Sequence, residues 1–170
     1  MREKLVVSFI WLLLIVSIGA CSHADDQLEQ EAMEVGEAFL ETLYHEDDTE
    51  FDTEDIEMIN EIEDEYDEYL TEDELDELIT RRFLLIPKEV AAHQHWMIEI
   101  ENIEWDTDEK DDKEIDFEHT FTLIFTDEAG KTVKEEEING QMTVVETDEG
   151  PKISRYHDTA LPDKLLFPEE

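Results

Sequence analysis

The chain has 170 residues, with 51 Asp or Glu against 12 Lys or Arg and a net charge of -39 at neutral pH. Such a charge repels nucleic-acid phosphate, whose binding needs Lys and Arg to release counterions, and it excludes electrostatic docking on anionic lipid heads. The chain is nevertheless 40% hydrophobic and 9% aromatic, which excludes wholesale disorder, and its length suits one domain with its own core.

Arg2 and Lys4 precede an apolar run from Leu5 to Ile18. The run is short for a membrane span but has the length of a secretory h-region, so residues 1–20 are expected to form a signal peptide. Ile18-Gly19-Ala20-Cys21 resembles the lipobox of bacterial lipoproteins. That resemblance implies cleavage before Cys21, attachment of acyl chains such as palmitate to it, and anchoring on the extracytoplasmic face of the cell membrane. The competing reading is an ordinary signal peptide beside a free thiol, which leaves an unpaired cysteine in a secreted chain unexplained. Cys21 is the sole cysteine, so no disulfide supports the fold. Residues 21–26 are then a short tether and 27–170 an acidic domain held close to the membrane.

Leu28, Ala32, Val35, Phe39 and Leu43 recur at three- and four-residue steps, predicting a helix from about Asp26 to Tyr44. After the polar break HEDDTEFD, Thr53 can cap a second helix carrying Ile56, Ile59, Ile62, Tyr66 and Tyr69 on one side. Thr71 and Glu74 have capping-box spacing and predict a third helix through Leu75, Leu78, Ile79 and Phe83, with Pro87 marking its end or a kink. Between Cys21 and Arg81 there is no Lys or Arg. Opposite-charge i to i+4 pairs are therefore impossible in the first two helices, and mobile cations are expected to relieve the repulsion. The simplest account of the acid is adaptation of an exposed surface to a salty or alkaline exterior, where screening is strong. Arg81 and Arg82 suit the negative end of the third helix dipole.

From Trp96 the period changes to two, with Trp96, Ile98 and Ile100 alternating against Met97, Glu99 and Glu101. Ile115, Phe117, His119, Phe121, Leu123 and Phe125 then occupy one face of a second strand. The segments DTDEKDDK, DEAG and DEGP read as hairpin connections, the last two leading to strands over Lys131–Glu146 and Lys152–His157. The tail LPDKLLFPEE has enough apolar residues to fold back on the domain.

Helices followed by a four-stranded antiparallel meander is an α+β pattern, with the helices packed on one face of the sheet. The element order, together with the ending GQMTVVETDEGPKISRY, resembles the NTF2-like (cystatin-like cone) superfamily over about Asp26 to Asp158. The resemblance implies a curved sheet wrapped around a long helix and says little about chemistry, because that fold hosts enzymes and binding modules alike.

Asp106, Asp108, Asp111 and Asp112 are the best candidates for a divalent-cation loop. Lys110 and Lys113 intrude, and the loop lacks the glycine that an EF-hand requires, so it is expected to hold no specific cation. His93 and His95 have the spacing of a zinc pair on a strand, but a third ligand must be borrowed from His119 or His157. No cofactor is expected. His119 stands in an otherwise apolar row and is expected to be a core residue with one hydrogen bond. In a cone with an open interior it is also the one candidate catalytic residue, working with a carboxylate such as Asp158. Trp105 and Tyr156 lie near strand ends where a cavity mouth would be, and with His119 they are the ligand-binding candidates. The chain is accordingly expected to be a lipid-anchored, non-catalytic binding domain for a protein or a small ligand, using the cone interior or the outer sheet face. A cavity enzyme using His119 and a structural or cation-buffering envelope protein are the competing classes.

Overall fold

The protein is described by a computed structural model over residues 21–46, 56–111 and 113–160. The segment expected to be a signal peptide, the expected capping residue Thr53, Asp112 and the C-terminal tail lie outside the described residues. Helices α1 (Cys21–Tyr44), α2 (Ile56–Tyr66), α3 (Glu72–Thr80) and α4 (Ile86–Gln94) precede strands β1 (Trp96–Lys110), β2 (Glu114–Asp127), β3 (Thr132–Thr147) and β4 (Gly150–Asp158). The strands form one curved antiparallel sheet in the order β1-β2-β3-β4, so the α+β meander is as expected. Helix α1 starts at Cys21, and the six residues assigned to a tether are helical.

Helix α1 buries Ala32, Phe39, Leu40, Leu43 and Tyr44, with Leu28, Met33 and Val35 packed beside them. This is the predicted stripe widened by one position on each side, as a core-facing helix needs. Against it the sheet buries every second residue of β2 from Ile115 to Phe125, so that Phe117, Phe121 and Phe125 face Phe39, Tyr44 and Tyr156 across the core. Burying each such ring contributes about 1.5–3 kcal/mol.

Between α3 and β1 the chain departs from the prediction. Thr71 takes the extended N-cap conformation but makes no side-chain cap bond. Glu74 does not turn back to it; its Oε1 accepts the Tyr156 backbone N–H at 2.8 Å. Helix α3 stops at Thr80, Arg82 adopts a left-handed conformation, and a short 3-10 turn (Phe83–Leu85) leads into α4. Pro87 sits in the first turn of α4 rather than at the end of α3, where its missing N–H breaks no intrahelical bond.

The acid of the first helices is relieved by fixed partners as well. Gln27 and Gln30 donate to Glu31 and Glu34 one turn on, at 2.7 and 2.9 Å. Lys110, at the far end of β1, reaches back to Glu29 at 2.7 Å, and Lys88 lies 3.0 Å from Glu46 and 3.6 Å from Glu65. Sequence periodicity sees pairs within a helix only, which hides these.

Register shifts interrupt the sheet at four places among the described residues, and two of them decide what faces inward. In β1 the register shifts between Glu101 and Glu104, where Asn102 has a positive φ of 56°. The bulge switches the inward face from Ile98 and Ile100 to Ile103 and Trp105. In β4 a shift beside Ser154 lets Ile153 and Tyr156 both face inward. Two glycines make room for the residues so aimed. A Cβ on Gly36 would lie 2.6 Å from the Trp105 indole, and one on Gly140 would lie 2.3 Å from His119 Nε2.

Gly140→Ala should therefore destabilise the fold by about 1–3 kcal/mol through overpacking. In urea unfolding most of that loss should vanish in a His119→Ala background; an equal loss in both backgrounds would show that the contact is not its cause.

Candidate functional site

The register places Trp105 beside His119, His119 beside Gly140, and Gly140 beside Asp158. One inward-facing rung thus crosses all four strands. With no side chain at Gly140, the His119 ring lies across the gap, parallel to Phe121 and Tyr156 at 5.8 Å from each and tilted against Trp105 at 5.2 Å. It is 2% exposed, and neither nitrogen has a hydrogen-bond partner among the described residues. The one hydrogen bond expected of a core histidine is missing. Burial pushes its pKa down to about 4, so the ring is neutral near pH 7.

Asp158, at the end of the rung, is engaged elsewhere. Its Oδ2 accepts the hydroxyls of Tyr44, at 2.5 Å, and Tyr156, and its Oδ1 accepts the Ala160 N–H at 2.8 Å. Burial raises its pKa despite these bonds. Burial also lifts both tyrosines well above their ordinary value, which keeps them donors. Among the hydrogen bonds of the described residues none joins His119 to Asp158, so the acid-base pair outlined from the sequence is not assembled.

The three ligand-binding candidates do come together, but as packing. Tyr156 is 2% exposed and lies deep in the core rather than at a mouth. Trp105 is half-buried, edge-on to Phe117 at 5.4 Å, with its indole N–H 3.4 Å from Glu37. Both rings pack against His119, Trp105 at 5.2 Å and Tyr156 at 5.8 Å.

The cation-loop candidates are also rearranged. Asp106 and Asp108 belong to β1, which runs on to Lys110, so the connection is far shorter than the charged segment. Asp111 uses Oδ1 to accept the N–H groups of Lys113 and Glu114, at 2.8 and 2.9 Å, and acts as a turn anchor. His93 ends α4 while His95 follows it in a left-handed conformation, so they do not share a strand face. Buried His119 and exposed His157 lie on opposite faces of the sheet. Among the described residues no three His, Cys, Asp or Glu side chains are grouped to hold a metal ion.

The open concavity lies on the other side of the same rung. A trough of about 590 Å³ crosses the sheet, lined by Glu104, Asp106, Glu118, Gln141 and His157 of the outer face and by Trp105, His119 and Gly140 of the rung, so two of the ligand-binding candidates belong to its wall. Asp106, Glu118, Gln141 and His157 are successive register partners across the four strands. Among the described residues no ion pair reaches Glu104, Asp106 or Glu118, whereas nearby Asp116 is paired with Arg155 at 3.1 Å. The alternation of β2 already puts Glu118 outward, but joining it to Asp106, Gln141 and His157 needs cross-strand register, which the Ser154 bulge conceals. The trough can accept cationic or amide-bearing groups.

No protein-family model and no curated protein matches the chain. Among solved structures, a periplasmic fragment of TraM is similar in fold, with a TM-score of 0.54 and 11% identity over 76% of this chain and 96% of that one. No helix among the described residues is long and apolar enough to cross a membrane.

A histidine at about 4 in the native state and about 6.5 unfolded binds its proton preferentially in the unfolded chain as pH falls. His119 should thus remove stability between pH 6.5 and 4, up to roughly 3 kcal/mol. The raised carboxyls of Asp158, Glu74 and Glu46 act with the opposite sign, because the native state takes up their protons first. The His119 contribution is read as the stability difference between wild type and His119→Leu, which should shift steadily in favour of the variant on acidification. A pH-independent difference would count against a buried neutral imidazole.

Proposed function

We propose that the protein is an extracytoplasmic lipoprotein, acylated on Cys21, whose domain is a non-catalytic binding module with the outer sheet face as its contact surface. One observation carries the surface assignment: rings pack around His119 and Tyr156 on the inner face, while the trough is open and its carboxylates have no ion pair among the described residues. The lipobox-like Ile18-Gly19-Ala20-Cys21 supports the anchor. The fold likeness to a periplasmic fragment supports the compartment. The NTF2-like reading belongs here too, supported by a curved antiparallel sheet wrapped on the long helix α1.

With Cys21 acylated, helix α1 begins at the lipid-bearing residue and runs without a break into the core. Such a continuous connection holds the domain near the bilayer, while a net charge of -39 keeps it off anionic headgroups. A protein at the membrane is then a better partner than the lipid surface itself.

In host cells the wild type should incorporate labelled palmitate and sediment with membranes, and Cys21→Ala should lose the label and appear in the soluble fraction. Unlabelled wild type, or membrane-bound Cys21→Ala, would overturn the anchor. A photocrosslinking residue at Gln141 should capture a protein that one at Val133, exposed on β3 outside the trough, does not. Equal capture from both would overturn the contact surface.

A further inference from the structure

The two edges of the sheet are treated differently. Along β4, Ile153 donates to Tyr69 O and accepts from Thr71 N at 2.8 and 2.9 Å, and Tyr156 N–H is held by Glu74. That edge is closed. Along β1, backbone pairing on the outer side occurs at Ile98, which exchanges bonds of 3.0 and 2.8 Å with Glu46. Since backbone polar groups alternate sides with a period of two in an antiparallel strand, Ile98 fixes that Ile100 also presents its N–H and C=O away from β2. A cleft of about 390 Å³ adjoins that position, lined by Glu41 and His45 of α1 and by Glu99, Ile100 and Glu101. On the outer face, β1 displays Glu99, Glu101, Glu104, Asp106 and Asp108, all exposed, as a ladder along the open edge.

We infer that the β1 edge from Ile100 onward takes an added strand: an extended protein segment with Lys or Arg at alternate positions. Main-chain bonds to an open edge supply affinity, and side chains at period two supply specificity. The occupant is fixed by charge. A segment bearing cations at every second residue sets each beside a carboxylate of the ladder. A second copy of this chain would bring its own net charge of -39, and the segment 161–170, with Asp163, Glu169 and Glu170 against Lys164, is itself acidic. The competing account is that the charges and the Asn102 bulge only guard the edge against aggregation. Guarding needs charge of either sign, whereas an unrelieved single-sign ladder beside a cleft selects one kind of partner.

The inference rests on the domain being an interaction module and is tested apart from the lipid anchor. The full chain carrying Cys21→Ala is titrated with the peptide Lys-Val-Lys-Val-Lys-Val-Lys and with a version of equal charge whose central Val is Pro. The alternating peptide should bind at least tenfold more tightly, and it should slow amide exchange at Ile100 at least tenfold. Glu99→Lys combined with Glu101→Lys, both at exposed positions, should weaken binding at least tenfold with the melting temperature retained. Equal binding of the two peptides, or unchanged exchange at Ile100, would reduce the effect to diffuse charge attraction and overturn the inference. Neither result bears on palmitate labelling or on capture from Gln141, so failure here is distinguishable from failure of the lipoprotein reading.

Discussion

The missing side chain at Gly140 is the constraint on which the arrangement of the sheet depends. It lets the His119 ring lie across β3 and stack on Tyr156, and this places Tyr156 where its hydroxyl meets Asp158. Asp158 in turn receives Tyr44 from the end of α1, so one polar contact ties the last strand to the first helix across 114 positions of sequence. At the other end of the rung Gly36 lets the Trp105 indole press on the α1 backbone. The helix is thus held to the sheet by one ring seated over Gly36 and by the Tyr44–Asp158 hydrogen bond at its C-terminal end. Such packing tolerates little change, because protein interiors are as dense as organic crystals.

The same packing leaves His119 without the geometry that the sequence outlined for acid-base work. Acid-base catalysis needs a base within reach of a substrate proton and of its own orienting partner. His119 has the aromatic neighbours but neither the orienting bond nor an opening, and the carboxylate nearest in register spends its acceptors on two tyrosines and a backbone amide. A buried carboxylate so held is a structural fastener, since removing it would strand two buried hydroxyls at about 1–3 kcal/mol each. On the outer face, by contrast, polar side chains line an open trough.

Much of the fold was legible because two periodicities carry it. The α1 stripe and the alternation of β2 survive intact, since each reflects a single face against a single core. Asn102 and Ser154 were illegible, as a bulge depends on a partner strand that one segment of sequence does not reveal. The error at Pro87 is of another kind. Proline is read as an end when it follows a helix pattern, yet the same ring fits the first turn of a new helix, and only the left-handed Arg82 before it separates the two. Glu74 shows how tertiary structure overrides a local motif: its spacing from Thr71 fits a capping box, but its carboxylate instead accepts the Tyr156 N–H of β4. For the site, His119 and Trp105 could be named from sequence but not their roles, because exposure and register decide between a ligand wall and a core.

Charge links these parts. With 51 acidic residues against 12 basic ones, most carboxylates have no cation available within the chain, and the few that find one mark where the fold concentrates its fixed partners. Lys110 serves the junction of α1 with β1, Lys88 the junction of α1 with α2, and Arg155 the outer surface of β2 beside the trough. The trough and the β1 ladder receive none among the described residues, and nearby Arg155 is paired with Asp116. Screening by salt lowers the cost of exposed like charges within a Debye length, so a diffuse acidic surface needs no partner to persist. Repulsion concentrated beside an open sheet edge is a different matter. There a cationic strand would relieve the charge and complete the backbone pairing in a single event, which neither salt nor water can do.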